Sequence, residues 1–229
     1  MPSPLRLGGH RDVSNCYHRT TPMTVTVIMG YDHDVSRWEP NARGRLERAA
    51  LELYGECGFE STTVAEIAER AGLTERTFFR HFADKREVLF AGASALQDFL
   101  TSKVDDAPAA WTPMAAIAAA LVEAADVVFE ERREFAQQRQ TIIAANADLQ
   151  ERELIKLARL AAALADALRR RGVGDPTASL AAEAGIAVFK VAFERWVAGT
   201  DDRILSQIIR ESADELKVVT AGRKPASRR

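Results

Sequence analysis

The stretch from Thr62 to Lys85, TTVAEIAERAGLTERTFFRHFADK, leaves few folds open to this chain. It predicts two short helices joined by a tight turn. Thr63 stands where a hydroxyl can cap the orphan N–H groups of a helix. Val64, Ile67, Ala68 and Ala71 then recur at helical spacing and give one apolar face. Gly72 ends that helix, because a residue without Cβ enters the left-handed conformation that a sharp exit needs. Leu73 is an apolar plug. Thr74 is the next cap, and Glu75 to Phe82 form the second helix. Phe78 and Phe82, four apart, share a face and pack back on Ile67 and Ala68. Glu75, Arg76, Thr77, Phe79 and Arg80 are left on the front or flanks. Two helices that cross steeply over a short turn need a small residue at the contact and glycine at the bend, and Ala68 and Gly72 supply both. The pattern is that of a helix-turn-helix, whose second helix projects far enough to enter a major groove.

The run Phe78-Phe79-Arg80-His81-Phe82-Ala83-Asp84-Lys85-Arg86-Glu87 resembles the end of the third helix in the TetR family of one-component transcriptional regulators, and the resemblance covers 41–90. It implies an all-α fold: an N-terminal three-helix helix-turn-helix domain followed by an all-helical ligand-binding and dimerisation domain. The function implied is a homodimeric repressor, released from a palindromic DNA operator by a small-molecule effector. On that reading Thr63 and Lys85 hold phosphates, the first at a helix terminus and the second as a point charge. Arg76 forks onto guanine and Glu75 accepts from cytosine. Thr74 and Thr77 touch backbone or a thymine methyl, Arg80 faces DNA, and His81 sits near a phosphate. The family usually has Tyr where this chain has Phe79. Without a hydroxyl, Phe79 is left with a packing or sugar contact.

Net charge is −2 over 229 residues, so no bulk basic field advertises nucleic acid. The region 41–90 carries eight Lys and Arg (43, 45, 48, 70, 76, 80, 85, 86) against nine Asp and Glu (47, 52, 56, 60, 66, 69, 75, 84, 87). Binding must therefore come from placement, with acids turned away from DNA. Hydrophobic residues make up 47% of the chain, dominated by Ala and Leu, which suits a helical protein with real cores. Cys16 and Cys57 suggest neither a disulfide framework nor a zinc site, and Cys57 reads as a small buried hydrophobe. His10, Cys16, His18 and His33 are spaced too loosely for a metal motif, so neither metal nor cofactor is expected. No apolar run reaches membrane-spanning length and the N-terminus lacks a signal-peptide core, so no membrane partner and a cytoplasmic location are expected.

The chain divides into a disordered extension over 1–40, the helix-turn-helix domain over 41–90, a helical ligand-binding and dimerisation domain over 91–220, and a basic disordered tail over 221–229. Met1, Met23 and Met29 are alternative starts. Arg37 is either a minor-groove arm or a solvated side chain. Pro40-Asn41 opens the first helix, with Leu46, Ala49, Ala50, Leu53, Tyr54 and Cys57 as its apolar stripe, and Gly58 closes it. Asp84 is expected to cap a fourth helix running through Val88, Leu89, Phe90, Leu96 and Leu100. Thr112-Pro113 opens a fifth to about Glu131. Others follow over 133–145, 148–171 and 176–199, and Asp201 or Asp202 opens the last, to about Val219.

A pocket needs apolar walls and a few polar groups. The candidates are Trp111, Phe129, Phe135, Phe189, Phe193 and Trp196, with Arg132, Gln138, Arg139 and Asn146. In the family the last two helices of each subunit pair into a four-helix bundle. Here Ala181, Ala184, Gly185 and Ala187 would allow close approach, with Val188, Val191, Ile204, Ile208 and Ile209 adding apolar surface. The other reading of that surface is intramolecular core. An enzyme is not expected: the sequence has no Gly-rich phosphate loop, no HExxH and no Ser-centred elbow. A helical ligand carrier, or an activator of the same fold, is the alternative.

Overall fold

The computed structural model describes residues 41–199 and 202–221. The expected tails, and with them Arg37 and the alternative starts, lie outside the described residues apart from Ala221. No strand occurs among those described.

The first helix, α1 (Ala42–Cys57), begins at Asn41, whose left-handed backbone (φ 68) lets its side chain accept from the Gly44 N–H. It ends at Gly58, where φ is 86. The helix α2 (Val64–Arg70) opens with a full capping box: the Thr63 hydroxyl accepts from the Glu66 N–H, and the Glu66 carboxylate accepts from the Thr63 N–H at 2.7 Å. Gly72 takes the left-handed turn (φ 65) into α3 (Glu75–His81), which Thr74 caps through the Thr77 N–H. These three helices form the head. Leu46, Ala50, Ile67 and Phe78 are fully buried at its centre, with Tyr54, Phe59 and Phe82 around them. Burial of each large side chain contributes roughly 1.5–3 kcal/mol.

The expected fourth helix is broken. Asp84 caps a single 3-10 turn, Glu87–Phe90, through the N–H groups of Arg86 and Glu87. The α-helix proper, α4 (Ala93–Asp105), starts only after Gly92. The break has two causes. Glycine weakens a helix interior, and two arginines from elsewhere take the carbonyls that a continuous helix would use: Arg139 holds Leu89 O and Arg43 holds Ala91 O. Val88, Leu89 and Phe90 are thereby turned into the head's core.

The body is α4 to α9. After α5 (Pro113–Ala124) comes one turn of π-helix, Ala125–Phe129, and a 3-10 turn, Glu130–Arg132, so the expected helix to Glu131 ends seven residues early as an α-helix. Then follow α6 (Arg133–Ala144), α7 (Ala147–Arg170), α8 (Thr177–Ala198) and α9 (Leu205–Thr220). Leu100, Val104, Ile117, Leu121, Leu164, Leu168, Ala192, Trp196 and Ile208 form their core. At Gly185 the backbone of α8 lies so close to α5 that a Cβ there would meet Ile117 Cγ2 at 2.4 Å. Gly185, Val188, Ile208 and Ile209 are therefore committed to the subunit's own core and are not open to a partner. No described helix is long and apolar enough to cross a membrane.

Head and body share a core. Ile142 and Ile143 at the end of α6, and Leu149 at the start of α7, are buried in the same cluster as Leu46, Ile67 and Phe78.

Candidate nucleic-acid interface

The α3 helix buries Phe78 fully and turns Glu75, Arg76, Phe79 and Arg80 to solvent. Phe79 is 55% exposed, its ring edge-on to Phe78 at 5.5 Å, so its orientation is fixed from below. Arg76 and Arg80, one helical turn apart, make no hydrogen bond or ion pair among the described residues. Thr74 is exposed, Thr77 half-buried, and their hydroxyls lie 3.1 Å apart. Thr63 is exposed at the start of α2, its hydroxyl donating to Glu66 at 2.8 Å. Six of the expected residues thus line the exposed edge made by the starts of α2 and α3 and the outer side of α3: Thr63, Thr74, Glu75, Arg76, Phe79 and Arg80.

Three others sit differently. Thr77 is tied to its cap. His81 is half-buried beside the Phe82 ring. Lys85, expected on a phosphate, points inward: its ammonium donates to the carbonyls of Phe59, Glu60 and Thr62 at 2.9–3.1 Å and lies over the Phe59 ring. The loop between α1 and α2 has carbonyls with no helical partner, and the lysine satisfies them. Its own carbonyl accepts from the Tyr54 hydroxyl at 2.6 Å, and burial pushes that phenol's pKa well up.

In the body, one aromatic cluster forms. Phe129 from the π-turn meets Phe189, Phe193 and Trp196 of α8, with ring centroids 5.8–6.4 Å away. Trp196 is buried and the three phenylalanines are half-buried. Beside them is a cleft of about 160 Å³ lined by Asp126, Glu130, Arg133, Trp196 and Asp202, among others. The remaining pocket candidates go elsewhere. Trp111 is exposed before α5, at the far end of that helix from Phe129. Phe135 packs on the head's core. Arg139 grips Leu89 of the head. Asn146 donates to Ile142 O at the end of α6. Arg132 and Gln138 are exposed. Beyond the break after Ala124, α6 divides its apolar residues: Ala136 is buried in the body's core, and Phe135, Ile142 and Ile143 pack with the head's.

Sequence reasoning missed the grip of α6 on α8. Arg133 donates to Trp196 O and Gly199 O, and Gln137 to Val197 O. It also missed the ion cluster in which Glu87 accepts from Arg152 and Lys156 of α7. Neither has a local signal, since the partners are about sixty residues or more apart.

A capped helix-turn-helix seated on an all-helical body is an architecture that DNA-binding transcription regulators use. The comparisons say which. Residues 47–91 match the family described as bacterial regulatory proteins, tetR family, and residues 111–221 match the MftR C-terminal domain. The HTH-type transcriptional regulator TcmR of Streptomyces glaucescens is 42% identical over 78 residues, 34% of each chain. The HTH-type transcriptional repressor KstR2 of Mycobacterium tuberculosis is 33% identical over 64 residues, 28% of this chain and 32% of its own. The matches span about a third of these relatives' length. Among solved structures, SmeT, the repressor of the Stenotrophomonas maltophilia multidrug efflux pump SmeDEF, superposes with a TM-score of 0.52 at 18% identity, over 78% of this chain and 89% of that one. The chain belongs to the TetR family of transcriptional regulators.

Proposed function

We propose that this regulator is a homodimeric repressor that reads a palindromic operator with two copies of α3 and leaves it when a small, largely apolar molecule enters the aromatic cluster of the body. The observation that carries the DNA half is the outer side of α3: Arg76 and Arg80 are exposed and unengaged above a buried Phe78. Arg76, in the first turn, reaches a guanine edge, Glu75 accepts from cytosine, and Phe79 packs on sugar or a thymine methyl. Thr63, Thr74 and Arg80 hold the flanking phosphates. A repressor is favoured by the likeness of a 64-residue stretch to KstR2, named a repressor.

The effector half rests on the rings of Phe129, Phe189, Phe193 and Trp196 and on α6. The cleft beside them, about 160 Å³, is smaller than the roughly 300 Å³ at which ligand sites begin. A ligand must part the rings, and Arg133 and Gln137 fasten α6 to that part of α8. The other end of α6 is in the head's core. Parting the rings shifts that rod and turns α3 away from half-sites about 34–36 Å apart. Full release asks the ligand to favour the turned form by about 5.5 kcal/mol.

The test is a gel shift with DNA from upstream of the chain's own gene, followed by base substitution in the bound site. Arg76→Ala is expected to erase the preference at one base pair. An equal loss on every sequence puts Arg76 on phosphate, and no shift at low salt overturns the repressor reading.

A further inference from the structure

Five of the eight cationic side chains of the head are engaged within the protein. Arg43 pairs with Glu47 and holds Ala91 O; Arg45 holds Ala71 O. Arg70 meets Glu56 at 2.9 Å and Glu52 at 3.5 Å, Arg86 meets Asp84 at 2.9 Å, and Lys85 is turned onto loop carbonyls. Among the described residues, the three with no hydrogen bond or ion pair are Arg76, Arg80 and Arg48. The first two belong to α3. Arg48 is on α1, and the helix-turn-helix pattern gives it no role.

Its neighbours locate it. Arg45, Arg48 and Glu52 lie on one side of α1 at i, i+3 and i+7. Arg45 reaches the end of α2, and its guanidinium stands 2.8 Å from where a Cβ on Gly72 would be. Glu52 meets Arg70, the last residue of α2. Arg48, between them and exposed, therefore stands beside the turn that joins α2 to α3. A helix-turn-helix puts the first residues of its second helix into the major groove, so that turn lies at the groove's rim, next to a phosphate strand. The nearest acids on α1 are already paired, Glu47 with Arg43 and Glu52 with Arg70.

We infer that Arg48 is a further DNA contact, a phosphate clamp on the strand bordering the groove, supplied by α1 from outside the helix-turn-helix. It rests on the DNA-binding reading of the head and adds a contact that carries no base information. In a head whose acids outnumber its bases, it is one of three cations not already held by the protein.

The experiment uses the full chain and a labelled random-sequence duplex of about 30 base pairs, with binding followed by anisotropy from about 50 to about 200 mM salt. Arg48→Ala is expected to weaken binding about tenfold at low salt and to flatten the slope of log affinity against log salt by about 0.9. Arg48→Lys should restore most of both, since a point charge suffices on phosphate. Thermal unfolding of the variants should match wild type, because Arg48 is exposed and makes no hydrogen bond or ion pair among the described residues. A wild-type slope in Arg48→Ala overturns the clamp while leaving DNA binding intact. A wild-type chain that binds no duplex at low salt overturns both.

Discussion

Arg139 of α6 donates its Nε–H to the carbonyl oxygen of Leu89 at 2.7 Å, and this bond ties the body to the last turn of the head. The same guanidinium meets Glu153 at 3.1 Å and lies 5.0 Å from the centre of the Phe90 ring. Burial pulls its pKa down, against the pull of Glu153 upward. Arg139→Met keeps much of the stem's packing and removes the charge. The Leu89 carbonyl and the Glu153 carboxylate then lose their partner, which is expected to cost about 2–4 kcal/mol. Urea unfolding measures this; a methionine variant as stable as wild type would mean that the bonds of Arg139 to Leu89 and Glu153 add nothing to the junction.

Acid should loosen the same junction. Burial alone raises the pKa of Glu87, but hydrogen bonds and charge from Lys156 and Arg152 outweigh it and hold the carboxyl below its ordinary value. A carboxyl depressed in the folded state adds stability that is complete above its unfolded pKa, about 4.3, and is lost as pH falls through the folded one. Glu87→Gln should therefore be less stable than wild type at pH 7, and the gap should close below about pH 4. Glu47 works in the opposite direction, since burial raises its pKa, so the comparison must be made between Glu87→Gln and wild type at each pH. A gap that stays constant down to pH 3 would show that Glu87 acts by packing alone.

What was legible in the chain follows its local signals. Thr63, Gly72 and Thr74 act within three or four residues, so the caps and turn of the head could be read directly. Phe78 and Phe82 declared the buried side of α3 by spacing alone. The break at Gly92 was not legible, because it depends on Arg43 and Arg139, which approach from 48 and 50 residues away. The inward position of Lys85 was not legible for a related reason: its type fits phosphate, and nothing local says that three carbonyls of the α1–α2 loop converge on its ammonium. The π-turn after Ala124 was not legible either, and it interrupts the single helix expected from Pro113 to Glu131, which carries Phe129.

The contact of α5 with α8 makes its own prediction. Replacing glycine by alanine inside a helix ordinarily stabilises by about 1 kcal/mol. At Gly185 the new methyl would collide with Cγ2 of Ile117, a β-branched and fully buried side chain. Gly185→Ala is expected to destabilise by about 1–3 kcal/mol instead. Ile117→Ala removes the obstructing methyl, so the double variant should lose less than the sum of the two singles. Additive losses would mean that the helices are not in contact there.

The proposed dimer makes a prediction that can be placed on one helix. Leu180 and Val191 of α8 are 66% and 49% exposed, with the half-buried Ala184 and the exposed Ala187 between them. The spacing, four, three and four residues, puts all four on one stripe. The outward side of α9 is mostly polar, with Gln207, Arg210, Asp214 and Lys217 exposed and Val219 apolar near its end, so α8 carries most of the apolar part of any pairing between the last two helices. An isologous contact must be complementary to itself. If two α8 helices cross antiparallel near Ala187, Glu183 of one copy comes opposite Lys190 of the other, and Leu180 and Val191 cover the small centre. Leu180→Glu with Val191→Glu puts like charges into that contact and leaves each subunit's own core untouched. Sedimentation should then give a monomer with wild-type helicity, and affinity for a palindromic operator should fall toward that of a single head. A dimer that survives both substitutions would place the pairing on another surface.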